Sequence, residues 1–209
     1  MENTVKIAIQ KKGHLRGESV RFLNSLGIIF AQSEKTLSTV CADGNIEIIF
    51  LRDDDIPKYV NSGLVDFGIL GKDVIEEKTE TINVIKKLDF SKCRIVIAVP
   101  QNSGLKDIKQ LQNKILATSY PNLLQKYLKQ NNVFCQIVYL SGSVEIAPRL
   151  KLADAICDIT QTGKSLVENN LTAIDTILES EAVLIESPFD NPNKQILLNK
   201  LKKYGNRLP

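Results

Sequence analysis

The 209-residue chain is 43% apolar and 24% charged, the make-up of an ordinary soluble globular protein with room for one large domain or two small α/β lobes. A net charge of +3 is too small for a nucleic-acid coat, and the absence of Trp with only 6% aromatic residues argues against a base-stacking platform. No run approaches the ~20 apolar residues of a membrane span, and the N-terminus enters a strand without a signal-peptide pattern, so a cytoplasmic protein with no membrane partner is expected.

In chain order, Val5–Ile9 reads as a strand and Glu18–Leu26 as an amphipathic helix ended by Gly27. Ile46–Leu51 is a strand rich in β-branched residues. Asp54 or Asp55 is placed to cap a helix with Pro57 in its first turn and Gly63 just past its end. Phe67–Leu70 is a strand running into Gly71, followed by Val84–Leu88, Arg94–Val99, Ile115–Ala117 and Phe134–Leu140. Asn122–Gln130 is helical, with Pro121 at its start. Ala155–Ile159 is a buried strand that runs into a Thr/Gly/Ser turn and a helix, Ala182–Ser187 is a late strand, and Asn193–Tyr204 is a lysine-rich final helix.

Strands this continuously apolar need cover on both faces, which predicts α/β lobes with mainly parallel sheets and flanking helices. Composition changes near Phe90–Arg94 and Glu179–Ala182 divide the chain into lobe I, 1–90 plus 181–209, and lobe II, 91–180. The default ligand site of two such lobes is the interlobe cleft.

One histidine and four scattered cysteines, none in a CxxC pair, leave little for a zinc site or for Ser-His and Cys-His catalysis. Cys93, Cys135 and Cys157 read as small core hydrophobes.

The stretch with most chemical content is 142–166. Thr160, Gln161, Thr162, Gly163, Lys164 and Ser165 form a turn at the end of a strand, where backbone amides, hydroxyls and a positive charge suit a phosphate. Asp154 and Asp158 lie just upstream, where carboxylates would grip sugar hydroxyls, and Glu145 precedes them on a short helix. The combination suits a phosphorylated ribose, although Glu145 is also well placed for the helix dipole alone.

Four further segments follow the same logic. Lys11, Lys12 and Gly13 leave the first strand at its C-terminal end; a solvated basic turn explains them equally well. Arg52 offers a two-pronged anion contact, and the aspartates after it are either magnesium ligands or, more simply, helix caps. Asp73 opens a helix after Gly71-Lys72. Tyr120 either lies against a purine ring or is an ordinary packed tyrosine.

Taken together, the segments AIQKKGHL (8–15), RDDDIPKYVNSGLVDFGILGKDV (52–74), LDFSKCR (88–94), ATSYPNLLQKYL (117–128) and GSVEIAPRLKLADAICDITQTGKSL (142–166) resemble the ATP phosphoribosyltransferase family, in collinear order over nearly the whole chain. The resemblance implies two lobes of the type II periplasmic-binding-protein kind and a glycosyltransferase joining ATP to phosphoribosyl pyrophosphate at adenine N1, the first step of histidine biosynthesis. It implies Mg2+ held mainly by substrate phosphates rather than by direct protein ligation. It assigns catalytic roles to Arg52, Lys11 and Asp158, and substrate contacts to Gly13, Asp73, Tyr120, Glu145, Asp154 and 160–165. It also implies a homodimer or higher oligomer.

The family has long members with a C-terminal histidine-binding regulatory domain and short ones that depend on a separate regulatory subunit similar to histidyl-tRNA synthetase. This chain is expected to lack that domain, while its QKxG and RDDDIP wording is closer to long members.

Three positions depart from the family pattern. His14 and Thr36 stand where relatives carry Arg, with Lys35 beside the second, and Lys151 replaces a common glycine. Two other readings compete: a solute- or nucleotide-binding protein of the same fold, and a catalytically silent subunit.

Overall fold

In a computed structural model, residues 4–32, 36–79 and 81–205 are described. Lys35, named above beside Thr36, lies outside them. The chain divides into two compact units, one made of Met1–Ile75, Glu80–Ser91 and Glu181–Pro209, the other of Glu76–Thr79 and Lys92–Ser180.

The first unit is built on a six-stranded sheet. Its strands are β1 (Val5–Gln10), β2 (Ser38–Val40), β3 (Ile46–Leu51), β4 (Phe67–Gly71), β5 (Asn83–Lys87) and β11 (Ala182–Glu186), in the order β2-β3-β1-β4-β11-β5. Alternation along β1 sends Val5, Ile7 and Ile9 to one face. There they join Phe22 and Leu23 of α1 (His14–Ser25) and Leu197 of α6 (Lys194–Gly205). Ala8 points to the other face, against Ile56 and Val60 of α2 (Ile56–Asn61) and Val74 of α3 (Lys72–Lys78). The sheet is thus covered on both sides, as its apolar strands require.

The second unit has a five-stranded sheet of β6 (Cys93–Pro100), β7 (Ile115–Thr118), β8 (Gln136–Tyr139), β9 (Ala155–Thr160) and β10 (Leu171–Ser180), ordered β10-β6-β9-β7-β8. One face packs on α4 (Pro121–Gln130) through Leu123, Leu124 and Leu128. The other is covered by Val144, Ala147 and Leu166, the last from α5 (Lys164–Glu168).

Both sheets are mixed, which corrects the expectation of mainly parallel ones. Parallel pairing is confined to β1 with β3 and β4, and to β7 with β8 and β9. The strands β6, β10, β11, β2 and β5 run antiparallel to their neighbours. Continuous apolar runs in β6 and β11 report a central position between covering layers, and strand direction does not alter that burial.

Local structure departs from the sequence reading in three further places. α1 starts at His14, four residues before the expected Glu18, because Gly13 at φ +102° turns the chain straight from β1 into the helix. Neither Asp54 nor Asp55 caps α2: Asp53–Asp55 form a 3-10 turn, and Asp55 makes no side-chain cap bond. The ten-residue β10 was not expected at all. Cys157 is fully buried, with its thiol pushed up to about 12 by burial, whereas Cys93 and Cys135 are only partly covered.

Candidate functional site

The parallel strands β8, β7 and β9 all end at one edge of the second sheet, and the loops there carry most of the chemically interesting side chains of that unit. β9 delivers Thr160 into a tight loop. The Gly163 amide donates to Thr160 Oγ1 at 3.0 Å and the Lys164 amide to Thr162 Oγ1 at 3.4 Å. Gly163 sits at φ +79°, in the left-handed region, and α5 follows without a side-chain cap. The hydroxyls therefore fold the loop upon itself, and the Ser165 and Leu166 amides that follow in the first turn have no intrahelical acceptor. Lys164 is exposed and pairs only loosely with Glu168, at 3.7 Å.

Two residues before that loop, the partly buried Asp158 accepts from the Ile159 amide at 2.8 Å and the Ser119 hydroxyl at 3.4 Å. Burial, then the nearby charge of Glu145, push its carboxyl up to about 6, against the opposing pull of those two donors. Glu145 lies in the 3-10 turn Val144–Ile146 that covers this face. Asp158 and Glu145 are thus within electrostatic reach of each other beside a hydroxyl- and amide-lined loop. That arrangement suits a polyhydroxylated, phosphorylated ligand that hydrogen-bonds carboxylates.

Two sequence candidates are placed otherwise. Asp154 precedes β9 and so stands at the opposite end of that strand from Thr160. Its Oδ2 accepts from the Ile115 amide at 2.8 Å and its Oδ1 lies 3.9 Å from Lys114 Nζ. The structure does not bring it to the loop. Tyr120 packs against the apolar cluster of α4, and its amide donates to Thr118 Oγ1 at 2.8 Å.

In the first unit, the parallel strands β3, β1 and β4 likewise end together. Lys11 follows β1; its amide donates to Leu51 O at 2.7 Å, and its carbonyl accepts from Arg16 Nη1 at 3.0 Å. Arg52 follows β3 and is exposed. Asp53 beside it accepts from Gln10 Nε2 at 3.2 Å; burial raises its carboxyl, with the charges of Asp54 and Asp73 adding to the effect. Asp73, buried in the first turn of α3, folds its carboxylate over Gly71. His14 and Thr36 are both exposed. Among the described residues no three His, Cys, Asp or Glu side chains gather as a metal cage.

Sequence reasoning passed over three residues. Glu77 is buried, and its two carboxylate oxygens accept from the Asn122 and Leu123 amides at 3.0 and 2.9 Å, capping α4. The signal was present: Tyr120 at the N-cap has no side chain able to fill those amides, so a cap had to come from elsewhere. Arg16 lays its guanidinium 5.1 Å from the Phe50 ring centre while bonding Lys11 O. Gln10 was quoted within its motif but given no task.

The family model for ATP phosphoribosyltransferase (HisG) matches residues 52–204. An ATP phosphoribosyltransferase of Cytophaga hutchinsonii is 41% identical over 201 residues, covering 96% of this chain and 70% of the relative. That of Phocaeicola vulgatus is 39% identical over 197 residues, covering 94% and 70%. Among solved structures, a chain of the Thermotoga maritima ATP phosphoribosyl transferase (HisG:HisZ) complex matches with a TM-score of 0.81 and 31% identity, covering 96% of this chain and 98% of that one. The substrate-binding protein of an amino acid ABC transporter matches at TM-score 0.63 with 13% identity, which shows a shared fold alone. With a family model reaching from the Arg52 loop to α6 and relatives near two-fifths identity along almost its full length, this chain belongs to the ATP phosphoribosyltransferase family.

Proposed function

We propose that this chain transfers the phosphoribosyl group of phosphoribosyl pyrophosphate to N1 of ATP with release of pyrophosphate, the opening step of histidine biosynthesis. Family membership carries the activity. The observation that supports the assignment of residues is the pre-folded 160–165 loop with Asp158 and Glu145 behind it.

The 5-phosphate is held by the amides and hydroxyls of Gln161, Thr162, Gly163, Lys164 and Ser165, with Thr160 bracing the loop. Asp158, ionised above about pH 6, and Glu145 accept hydrogen bonds from the ribose hydroxyls. They also stabilise the positive charge that develops on the ring as the bond from the anomeric carbon to pyrophosphate breaks. Adenine N1 is already nucleophilic, so the chain's task is alignment and charge compensation rather than proton removal. Arg52 and Lys11 offset the charge growing on the leaving pyrophosphate. The uncapped start of α1 after Gly13 offers amides to the same kind of anion. Asp73, buried beneath the β4–α3 turn, holds that turn's shape, and Tyr120 is assigned to the α4 core rather than to purine stacking.

A magnesium ion is the natural counter-ion of pyrophosphate, and the donor set fits one brought in on substrate phosphates. Asp53 and Asp158 already accept protein donors, and among the described residues no group of three metal-ligating side chains gathers at either. Bound there, Mg2+ supplies charge neutralisation at the leaving group. A cytoplasmic location is in keeping with the substrates; no described helix is long and apolar enough to cross a membrane. A homo-oligomer, and a regulatory partner of the kind present in the Thermotoga maritima complex, complete the reading.

The test is an assay with ATP, phosphoribosyl pyrophosphate and Mg2+, with and without a candidate regulatory subunit, following N1-phosphoribosyl-ATP by absorbance. Product forms, and Arg52→Ala lowers turnover ~10²-fold, the scale of one lost transition-state donor. Near-normal turnover in that variant would take Arg52 out of the mechanism.

A further inference from the structure

Gln10, the last residue of β1, lies opposite Leu51 of β3 and reaches past it to Asp53. The Asp53 carboxylate is divided between two loops. Oδ1 accepts from the Asp54 amide at 3.1 Å and shapes its own turn, while Oδ2 accepts from Gln10 Nε2 at 3.2 Å. On its other side the Gln10 amide lies under the next loop, since a Cβ placed on Gly13 would come within 3.2 Å of Gln10 Oε1. That oxygen is buried and has no hydrogen-bond partner among the described residues.

A buried acceptor without a donor is unfavourable, and a leucine or methionine would fill the same space without the defect. An amide here therefore offers something that volume alone cannot. Its bond to Asp53 ties the β1–α1 turn, with Lys11, Lys12 and Gly13, to the β3–α2 turn, with Arg52.

We infer that Gln10 is a positioning residue, whose amide latches these two cation-bearing turns together through Asp53 so that Lys11 and Arg52 meet the same anion. The inference rests on the role given to Lys11 and Arg52 above. Gln10 touches no reacting atom; it acts through the turns on either side of it. A loosened latch lets each cation sample positions that do not face the leaving group, and misplacement of that kind is felt in turnover.

Three variants test this: Gln10→Leu, Asp53→Asn and the double variant Gln10→Leu/Arg52→Ala. Gln10→Leu is expected to melt at the parent's temperature or above, because the orphan oxygen is gone, yet to lose about tenfold or more in kcat while KM for phosphoribosyl pyrophosphate moves less than about threefold. Asp53→Asn, whose amide oxygen still accepts from Gln10 Nε2, keeps most of the activity. The double variant falls below Arg52→Ala by less than Gln10→Leu falls below the parent, since part of the latch's effect works through Arg52 and the rest through Lys11.

Limited trypsin digestion reads the latch without reference to catalysis: cleavage after Lys11 and Lys12 is faster in Gln10→Leu than in the parent at equal melting temperature. Unchanged cleavage, or a kcat within about twofold of the parent, would overturn the inference. Faster cleavage and lower kcat in Gln10→Leu alongside a silent Arg52→Ala would uphold the latch and remove Arg52 from the reading it serves.

Discussion

In the proposed reaction, Asp158 serves catalysis at the expense of the fold. Burial, and then the charge of Glu145, push its carboxyl up from the usual aspartate range to about 6 in the folded chain. The native state thus holds this proton more tightly than the unfolded chain. The resulting destabilisation is absent below about pH 4, builds between about 4 and 6, and is complete above that. Asp158→Asn removes it, so urea denaturation should show the variant more stable than the parent by roughly 1–3 kcal/mol at pH 8 and nearly equal to it at pH 4. Transfer activity should fall in that variant at every pH. In the parent, activity should decline as pH drops through about 6, when Asp158 takes up its proton.

Lys151 gives a second prediction at this scale. It lies at φ +60°, the left-handed conformation that favours glycine, the residue that the family resemblance leads one to expect there. Lys151→Gly should therefore stabilise the chain by about 1 kcal/mol in the same denaturation experiment. Both residues were named in the sequence, but their meaning was not legible there. The raised pKa of Asp158 comes from burial first and then from Glu145, thirteen positions away, and the strain at Lys151 is a backbone angle that no side-chain pattern records.

Elements were read well where their pattern is local and poorly where it is not. β1, β3, β4, β6 and β11 announce themselves as short apolar runs, and the structure places all five within a residue or two of expectation. β10 escaped because two register shifts against β6, at Ala173/Asp175 and Thr176/Leu178, break the alternation that would have revealed it. α2 was legible as a helix with proline near its start but not in its capping, since the local aspartates form a 3-10 turn of their own. α4 is capped by a residue over forty positions earlier, a pairing that spacing rules do not reach. Its dependence can be measured. Glu77→Ala leaves the Asn122 and Leu123 amides without their acceptor and should cost about 1–3 kcal/mol of unfolding free energy, with Glu77→Gln recovering part of it. A loss under about 0.5 kcal/mol for Glu77→Ala would show that water or neighbours fill the cap equally well.

For the whole molecule, fold and family answer different questions. Solute-binding proteins at 13–16% identity share the architecture, so the architecture alone does not separate a transferase from a binding protein. The match to ATP phosphoribosyltransferases does, and it gives no support to a silent or solute-binding chain. The sequence already showed that family through its ordered blocks, including the loop after β9. It did not show that Asp154 belongs to the far end of that strand, because the six-residue separation from Asp154 to Thr160 reads as closeness in sequence and spans about 20 Å along a strand.

Calorimetric titration of phosphoribosyl pyrophosphate into the parent chain and into Thr162→Val tests the central claim most directly. If the 160–165 loop holds the 5-phosphate, the parent binds and the variant, with one loop hydroxyl gone and the Lys164 amide unbraced, loses about tenfold or more in affinity. Equal affinity in the two proteins would contradict the assignment of that loop.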